Sequence, residues 1–397
     1  MTSISKLKAR AEELYPEIVE IRRHLHQNPE VSYKEYETTA FIISKLKELG
    51  IEVHQPLETG CVGILKGGIS SERVIALRAD IDALPMDEAG EHKQAFFSKH
   101  KGAAHCCGHD AHTANLLGVA RVLSELRSEV PGTVVFIFQP GEEKLPGGAK
   151  LLCETGILQE LGIDSVFGLH TSPMHPVGSI AVKSGPIMGA PDEFELELIG
   201  KGGHAAKPHE TVDPIVMAGQ FISAVQTISS RSVDPTEAVV VTIGKIEAGT
   251  AHNIIPESAY MLGTIRTLST ATAELVHARL EEIVKGIATA CGGSYNLKIN
   301  RGYPVVRNAE LETERLIKAA GEVLGADMVQ RMERPIMAGE DFAFYQQVFP
   351  GTFFFAGTAS KEADSFYPWH HPKYNVDEAF FKSTIPIMAS IALNNGD

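Results

Sequence analysis

Between His105 and His112 the chain reads His-Cys-Cys-Gly-His-Asp-Ala-His, three imidazoles, two thiols and a carboxylate in eight residues. The chemistry these types share is binding of a soft or borderline metal ion. Side chains two apart point to the same side only where the chain is extended. Cys107 and His109 can therefore meet on one ion if Cys107-Gly108-His109 is extended, with Gly108 letting the backbone come close. Asp110 suits an N-cap, because Ala111 to Leu126 carries apolar residues at helical spacing (Ala114, Leu117, Val119, Ala120, Leu123, Leu126). Cys-x-His alone is a weak signal, equally read as buried thiols and satisfied core histidines. A structural zinc knuckle needs further Cys or His close by, and the remaining Cys61, Cys153 and Cys291 are scattered. Any further ligands must come from distant parts of the chain.

Three apolar runs supply candidates at their carboxyl ends. Val74 to Arg78 leads into Asp80-Ile81-Asp82; Thr133 to Phe138 leads into Gln139-Pro140-Gly141-Glu142-Glu143; Ser165 to Leu169 leads into His170. In an open α/β sheet that edge is where ligands bind. Two neighbouring carboxylates do not easily ligate one ion. One of Glu142 and Glu143 can bind metal while the other faces a water, takes its proton and returns it to a leaving amine. An isolated Glu-Glu is usually a solvated loop. Here the preceding run is apolar throughout, as in a strand covered on both faces, and Gly147-Gly148 follows closely.

The elements that must hold these groups can be read from periodicity. Ile4, Leu7, Ala11, Leu14, Ile18, Ile21 and Leu25 form one helical stripe, stopped by Asn28-Pro29-Glu30, and a second helix spans about Glu35 to Leu49, closed by Gly50. Strands follow at Cys61 to Lys66 and Val74 to Arg78. After about Gly185 the texture changes. A half-buried strand at Glu193 to Gly200, a helix from Asp213 to Arg231, strands at Ala238 to Glu247 and Ser258 to Leu268, a helix from Ala271 to Cys291 and a strand from Tyr295 to Asn300 make a βαββαβ order, that of a ferredoxin-like α+β unit. The α/β texture resumes after Gly302, with a helix at Leu311 to Leu324, a strand at Thr352 to Ala356 and a last helix at Asp377 to Leu393. The expected division is one α/β domain in two parts, 1–185 and 303–397, with 186–302 inserted between them as a second domain.

A chain of 397 residues exceeds what one core usually holds. Its formal charge of −14 argues against nucleic acid or an anionic membrane as partner. Five cysteines without framework spacing fit a reducing compartment. Met1-Thr-Ser leads into a charged amphipathic helix and not an apolar signal region, and no apolar run reaches the roughly 20 residues of a membrane span. A cytoplasmic location is expected.

Several motifs then converge on a resemblance. Arg22-Arg23-His24-Leu25-His26-Gln27-Asn28-Pro29-Glu30, Arg78-Ala79-Asp80-Ile81-Asp82-Ala83-Leu84-Pro85, Cys107-Gly108-His109-Asp110-Ala111-His112-Thr113 and Gln139-Pro140-Gly141-Glu142-Glu143 resemble the family of hippurate hydrolase and related N-acyl-L-amino acid amidohydrolases. So do Gly168-Leu169-His170, Gly202-Gly203-His204-Ala205-Ala206-Lys207-Pro208, Asn253-Ile254-Ile255-Pro256 and Gly339-Glu340-Asp341-Phe342. The match runs nearly the whole chain in order, and the family includes aminoacylase-like metallo-carboxypeptidases and plant hydrolases of indoleacetyl-amino acids.

The resemblance implies that 1–185 and 303–397 form a zinc-aminopeptidase-like three-layer α/β catalytic domain and 186–302 an inserted ferredoxin-like lid and dimerisation domain. It implies two divalent metal ions, Zn²⁺ or Mn²⁺ first, with Co²⁺ or Ni²⁺ accepted by such a donor set. It places metal ligands at Cys107, His109, Glu143, His170 and His370, the last from Trp369-His370-His371-Pro372, with His371 the weaker alternative. Glu142 takes the acid/base role, and Asp80 orients a ligand. Arg78 stands where wider relatives carry a histidine, leaving Cys107 part of the metal binding. His24, His26, His105 and His112 are structural or support the ligands. On its own His204 reads as a loop histidine; the resemblance makes it an oxyanion donor reaching across a homodimer or higher homo-oligomer. Asn253 and Arg266 then hold a substrate carboxylate. The function expected is cleavage of N-acyl-L-amino acids to a carboxylate and a free amino acid. A dipeptidase or metallo-carboxypeptidase using the same site is the alternative within enzymes, and a non-catalytic metal-binding scaffold the alternative outside them.

Overall fold

The computed structural model describes residues 4–394, so the leader reading at Met1-Thr-Ser lies outside it. The chain forms two units. The first takes residues up to Ile187, Arg307–Arg334 and everything from Asp341; the second takes Met188–Val306 and Pro335–Glu340.

The first unit is built on an eight-stranded sheet in the order Glu52–His54, Cys61–Lys66, Pro131–Gln139, Ile69–Asp80, Ser165–Pro176, Gly351–Ala359, Ile180–Val182, Val329–Arg331. Its four central strands run parallel, aligned so that Asp80 lies opposite Gln139, Arg78 opposite Gly168 and His170 opposite Phe355. That register brings the carboxyl ends of three strands to one edge. Pro131–Gln139 is buried at all positions but one, which a strand covered on both faces requires. The helices Ile4–Gln27, His109–Glu125 and Phe381–Leu393 pack together on the sheet. The stripe of the first is buried from Leu7 to Leu25, and the helix runs through Pro16. The strand expected over Val74 to Arg78 is longer, Ile69–Asp80, with its first half exposed.

The second unit has the βαββαβ order read from the sequence. Its antiparallel sheet runs Val239–Ala248, Ser258–Thr267, Ala190–Ile199, Ser294–Asn300. Helices Pro214–Thr227 and Thr270–Cys291 bury Phe194, Leu196, Leu198, Met261 and Ile265 of the sheet beneath Met217, Phe221, Val276 and Leu280. Both helices start at side-chain caps, Asp213 accepting from the amides of Ile215 and Val216 and Ser269 from that of Thr272. Edge strand Val239–Ala248 is largely exposed. No helix among the described residues is long and apolar enough to cross a membrane.

Candidate metal centre

The His105–His112 stretch departs from both local expectations. Gly108 has φ +102°, so Cys107-Gly108-His109 is not extended but turns through a left-handed residue into a helix that already begins at His109. A Cβ at position 108 would lie 2.2 Å from Thr171 Oγ1, which leaves only glycine able to make the turn. Asp110 is inside that helix and is no N-cap. It is fully buried, accepting from Arg22 Nε at 2.7 Å and lying 2.8 Å from His26 Nδ1. Two side chains of the first helix supply charge-assisted bonds stronger than a cap.

Cys107 and His109 still converge, because the turn aims both at the sheet edge. Ligand atoms of Cys107, His109 and His170 lie within 4.8 Å of one another; so do those of Cys107, Glu143 and His370, and those of His109, Glu142 and Glu143. Cys107 Sγ is 3.4 Å from His170 Nε2, and His370 Nε2 is 3.1 Å from Glu143 Oε1. The three triads share Cys107, His109 and Glu143, so six expected residues form one connected cluster. His370 reaches it from a left-handed backbone, φ +63°, with its amide bonded to Cys106 O at 2.8 Å. Such a conformation in a non-glycine residue persists where the surroundings impose it. His371 instead stacks on Tyr367, ring centroids 4.8 Å apart, with Nδ1 accepting from Lys373 N.

The imidazoles are held in defined orientations. His170 Nδ1 faces the carbonyl of Thr171 at 2.8 Å, which fixes its proton there and leaves the Nε2 lone pair toward Cys107. The same carbonyl accepts from Trp369 Nε1 at 2.8 Å, tying the His370 loop to the His170 strand. His109 Nδ1 is 3.1 Å from Asp82 Oδ1, and Asp82 Oδ2 accepts from the Glu143 amide at 3.0 Å and from Ser32 Oγ at 2.6 Å. Asp82 thus makes the closer contact to His109, on Nδ1, while Asp80 Oδ2 stands 3.5 Å from His109 Nε2. Asp80 is 2.6 Å from His112 Nδ1 and accepts from Arg78 at 2.9 Å, while His112 Nε2 accepts from the Thr171 amide. Sequence reasoning gives no role to Asp82, Thr171 or Trp369. Only Asp82 carries a signal, its position two residues after Asp80 at the same strand end.

The electrostatics favour a cation. Burial, then the charges of Glu143, Glu142 and Asp80, push the Cys107 thiol well above its ordinary range. Burial works against charge on His109, yet Asp80, Asp82 and Glu143 raise it to about 10. Burial, then His112, push His170 well below the usual histidine range. Burial opposes ionisation of Asp80, but Arg78, His109 and His112 hold it well below the carboxylate range. The buried Nε2 of His109 has no hydrogen-bond partner among the described residues, and the nearest carboxylate oxygens, of Asp80 and Glu143, stand 3.5 and 3.8 Å away. Such an atom costs about 1–3 kcal/mol unless something else satisfies it. A divalent cation would satisfy it, would favour the Cys107 thiolate, and matches the mixed sulfur, nitrogen and oxygen set.

His204, Asn253 and Arg266 are not in this cluster; all three belong to the second unit. His204 is exposed on the short strand Gly203–His204, which pairs with Ile254–Ile255, and the carbonyl of exposed Asn253 accepts from Ala205 N. Arg266 is half-buried on Ser258–Thr267, opposite Val240 and Pro191.

Comparison with known proteins agrees with this chemistry. Residues 76–394 match the model of Peptidase family M20/M25/M40. The chain is 43% identical to N-acetyl-L-cysteine deacetylase of Bacillus subtilis, over 92% of this chain and 85% of that protein. It is 39% identical to thermostable carboxypeptidase 2 of Saccharolobus solfataricus, over 96% of each. Among solved structures, Bacillus subtilis YxeP, described as a dinuclear metal-binding peptidase of the M20 family, superposes with a TM-score of 0.83 at 36% identity, covering 96% of this chain and 98% of that one. The chain belongs to peptidase family M20/M25/M40 and is a metal-dependent hydrolase.

Proposed function

We propose that the chain hydrolyses the amide of N-acyl-L-amino acids, releasing a carboxylate and a free amino acid. The observation that carries this reading is Glu142, a buried carboxylate within 4.8 Å of the ligand atoms of His109 and Glu143. Cys107, His109, Glu143, His170 and His370 would hold two divalent cations, Zn²⁺ or Mn²⁺ before Co²⁺ or Ni²⁺, which supply Lewis acidity at the amide carbonyl and acidify a water.

Glu142 takes the proton of that water as its oxygen attacks the carbonyl carbon, and passes it to the leaving nitrogen as the C–N bond breaks. Asp82 keeps the His109 ring turned and the Glu143 backbone in place, and Asp80 does the same for His112. His204, from a partner subunit, donates to the oxyanion, and Asn253 and Arg266 hold the free carboxylate of the amino acid. The exposed edge strand Val239–Ala248 and the surface position of His204 support a homodimer or higher homo-oligomer. The five free cysteines support a cytoplasmic location.

The deacetylase relative supports an acylated substrate, and the carboxypeptidase relative keeps a peptide substrate as the second reading. Assays of N-acetyl amino acids beside dipeptides separate the two. The role of Glu142 is tested by Glu142→Ala, expected to keep wild-type metal content and lose turnover by about 10²–10⁴-fold. Near-wild-type turnover in that variant removes the proposed base.

A further inference from the structure

The carboxylates Glu142 and Glu143 sit on the loop after strand Pro131–Gln139, and a loop fixes a side chain only as well as its own backbone is fixed. Three backbone positions of this loop are bonded directly, and a fourth through Asp82, by one short segment, Ser32–Glu35, just beyond the first helix. Glu35 is completely buried; its Oε1 accepts from the amides of Gly141 at 2.8 Å and Tyr33 at 2.9 Å, and its Oε2 from the Thr59 hydroxyl at 2.8 Å. The Tyr33 hydroxyl donates to the carbonyl of Lys144 at 2.7 Å and accepts from the amide of Gly147 at 3.1 Å. Ser32 donates to the Asp82 oxygen that also receives the Glu143 amide. Positions 141, 143, 144 and 147 are thereby held on both sides of the two carboxylates.

Two further observations say that this segment is shaped around the loop. Tyr33 has φ +65°, a conformation that bulky L-residues avoid. Its ring closes over Gly141, itself at φ +62°, so that a Cβ there would lie 2.3 Å from Tyr33 Cε1. We propose that Tyr33 and Glu35 are positioning residues for hydrolysis: they set the 141–147 backbone, and through it the placement of the Glu142 and Glu143 carboxylates. This rests on the reading of Glu142 and Glu143 given above. Neither Tyr33 nor Glu35 touches the reacting atoms.

The test uses the full-length protein and the variants Tyr33→Phe, Glu35→Ala and Glu35→Gln. Misplacement by about 1 Å costs on the order of 10²-fold in rate, so Glu35→Ala is expected to lose about 100-fold in kcat and Tyr33→Phe about 10-fold, with KM changing by less than about threefold. Glu35→Gln keeps an oxygen for both amides and gains an N–H for the Thr59 hydroxyl, and is expected to restore kcat to within about threefold of wild type. Zn²⁺ affinity, read by competition with a chromophoric chelator, is expected to weaken about tenfold in Glu35→Ala and Tyr33→Phe as Glu143 loses register. Amide exchange at Gly141 and Gly147 is expected to quicken in the same two variants.

A purely structural role would lower the melting temperature and leave kcat of the folded fraction and Zn²⁺ affinity at wild-type values; that result overturns the proposal, as does a Glu35→Gln variant no better than Glu35→Ala. Turnover surviving in Glu142→Ala is a separate failure. It removes the base but leaves the Zn²⁺ and exchange measurements to decide the positioning.

Discussion

The two groups of residues proposed to carry hydrolysis are built in opposite ways. Around Cys107, His109, Glu143 and His170 the supporting polar groups each serve more than one partner. Asp82 holds His109, the Glu143 amide and Ser32 at once, and the Thr171 carbonyl holds His170 and Trp369. His204 and Asn253 are exposed and bonded mainly within their own two-stranded pair. The metal cluster is pre-organised by the chain itself, whereas the second group has neighbours enough to fold but not to fix its side chains. Substitution in the first region should therefore disturb metal binding, stability and rate together. In the second it should disturb rate alone.

The largest expected departure from that coupling is His204→Ala. Loss of this proposed oxyanion donor is expected to lower kcat by about 10²–10³-fold, while a surface substitution moves stability by no more than about 0.5 kcal/mol. Steady-state kinetics beside thermal melting and metal analysis checks it, and a parallel loss of metal would break the comparison. Next comes Asp82→Ala, which frees His109 and removes an acceptor of the Glu143 amide; Zn²⁺ affinity is expected to drop about 10–100-fold, measured by chelator competition, with the melting temperature falling too.

A smaller effect concerns pH. Burial, then the charge of Asp82, push Glu35 up to about 7 from 4.5. The folded state then binds more protons than the unfolded one between those values, so this stabilisation is complete below pH 4.5 and lost as pH rises through about 7. Metal-free Glu35→Gln should gain stability relative to wild type between pH 5 and 8, by roughly 2–3 kcal/mol, since one pKa unit is worth about 1.4 kcal/mol. Denaturant melts at the two pH values read the gap, and a gap that does not change places the Glu35 titration elsewhere. Smallest is Trp369→Phe, which keeps a ring against His170 but removes the bond to Thr171 O. It should cost about 1 kcal/mol of stability and shift Zn²⁺ affinity only a few-fold.

Much of the first region is legible in the sequence because its signals are periodic or terminal. The Leu7–Leu25 stripe, the apolar run at Thr133–Phe138 and the groups just past strand ends follow from spacing alone, and the parallel register then sets them side by side. What cannot be read is whatever depends on partners far away in sequence. Asp110 resembles a cap because the helix after it is local, whereas Arg22 and His26, 88 and 84 residues earlier, claim it in the fold. Asp80 and Asp82 cannot be told apart until the turn after the strand is known. Nothing in the neighbours of Trp369 announces that its indole reaches Thr171. The loop clamp of Tyr33 and Glu35 is invisible for the same reason, since its targets lie more than a hundred residues on.

Donors scattered between residues 107 and 370 are proposed to enclose a pair of metal ions next to Glu142. Anomalous diffraction at the zinc edge from Zn²⁺-loaded crystals tests it most directly. The expected result is two peaks per chain, enclosed by Cys107, His109, Glu143, His170 and His370, with a Glu142 oxygen facing the space between them. A single peak that omits Cys107 and His170, or metal bound away from this cluster, contradicts the account.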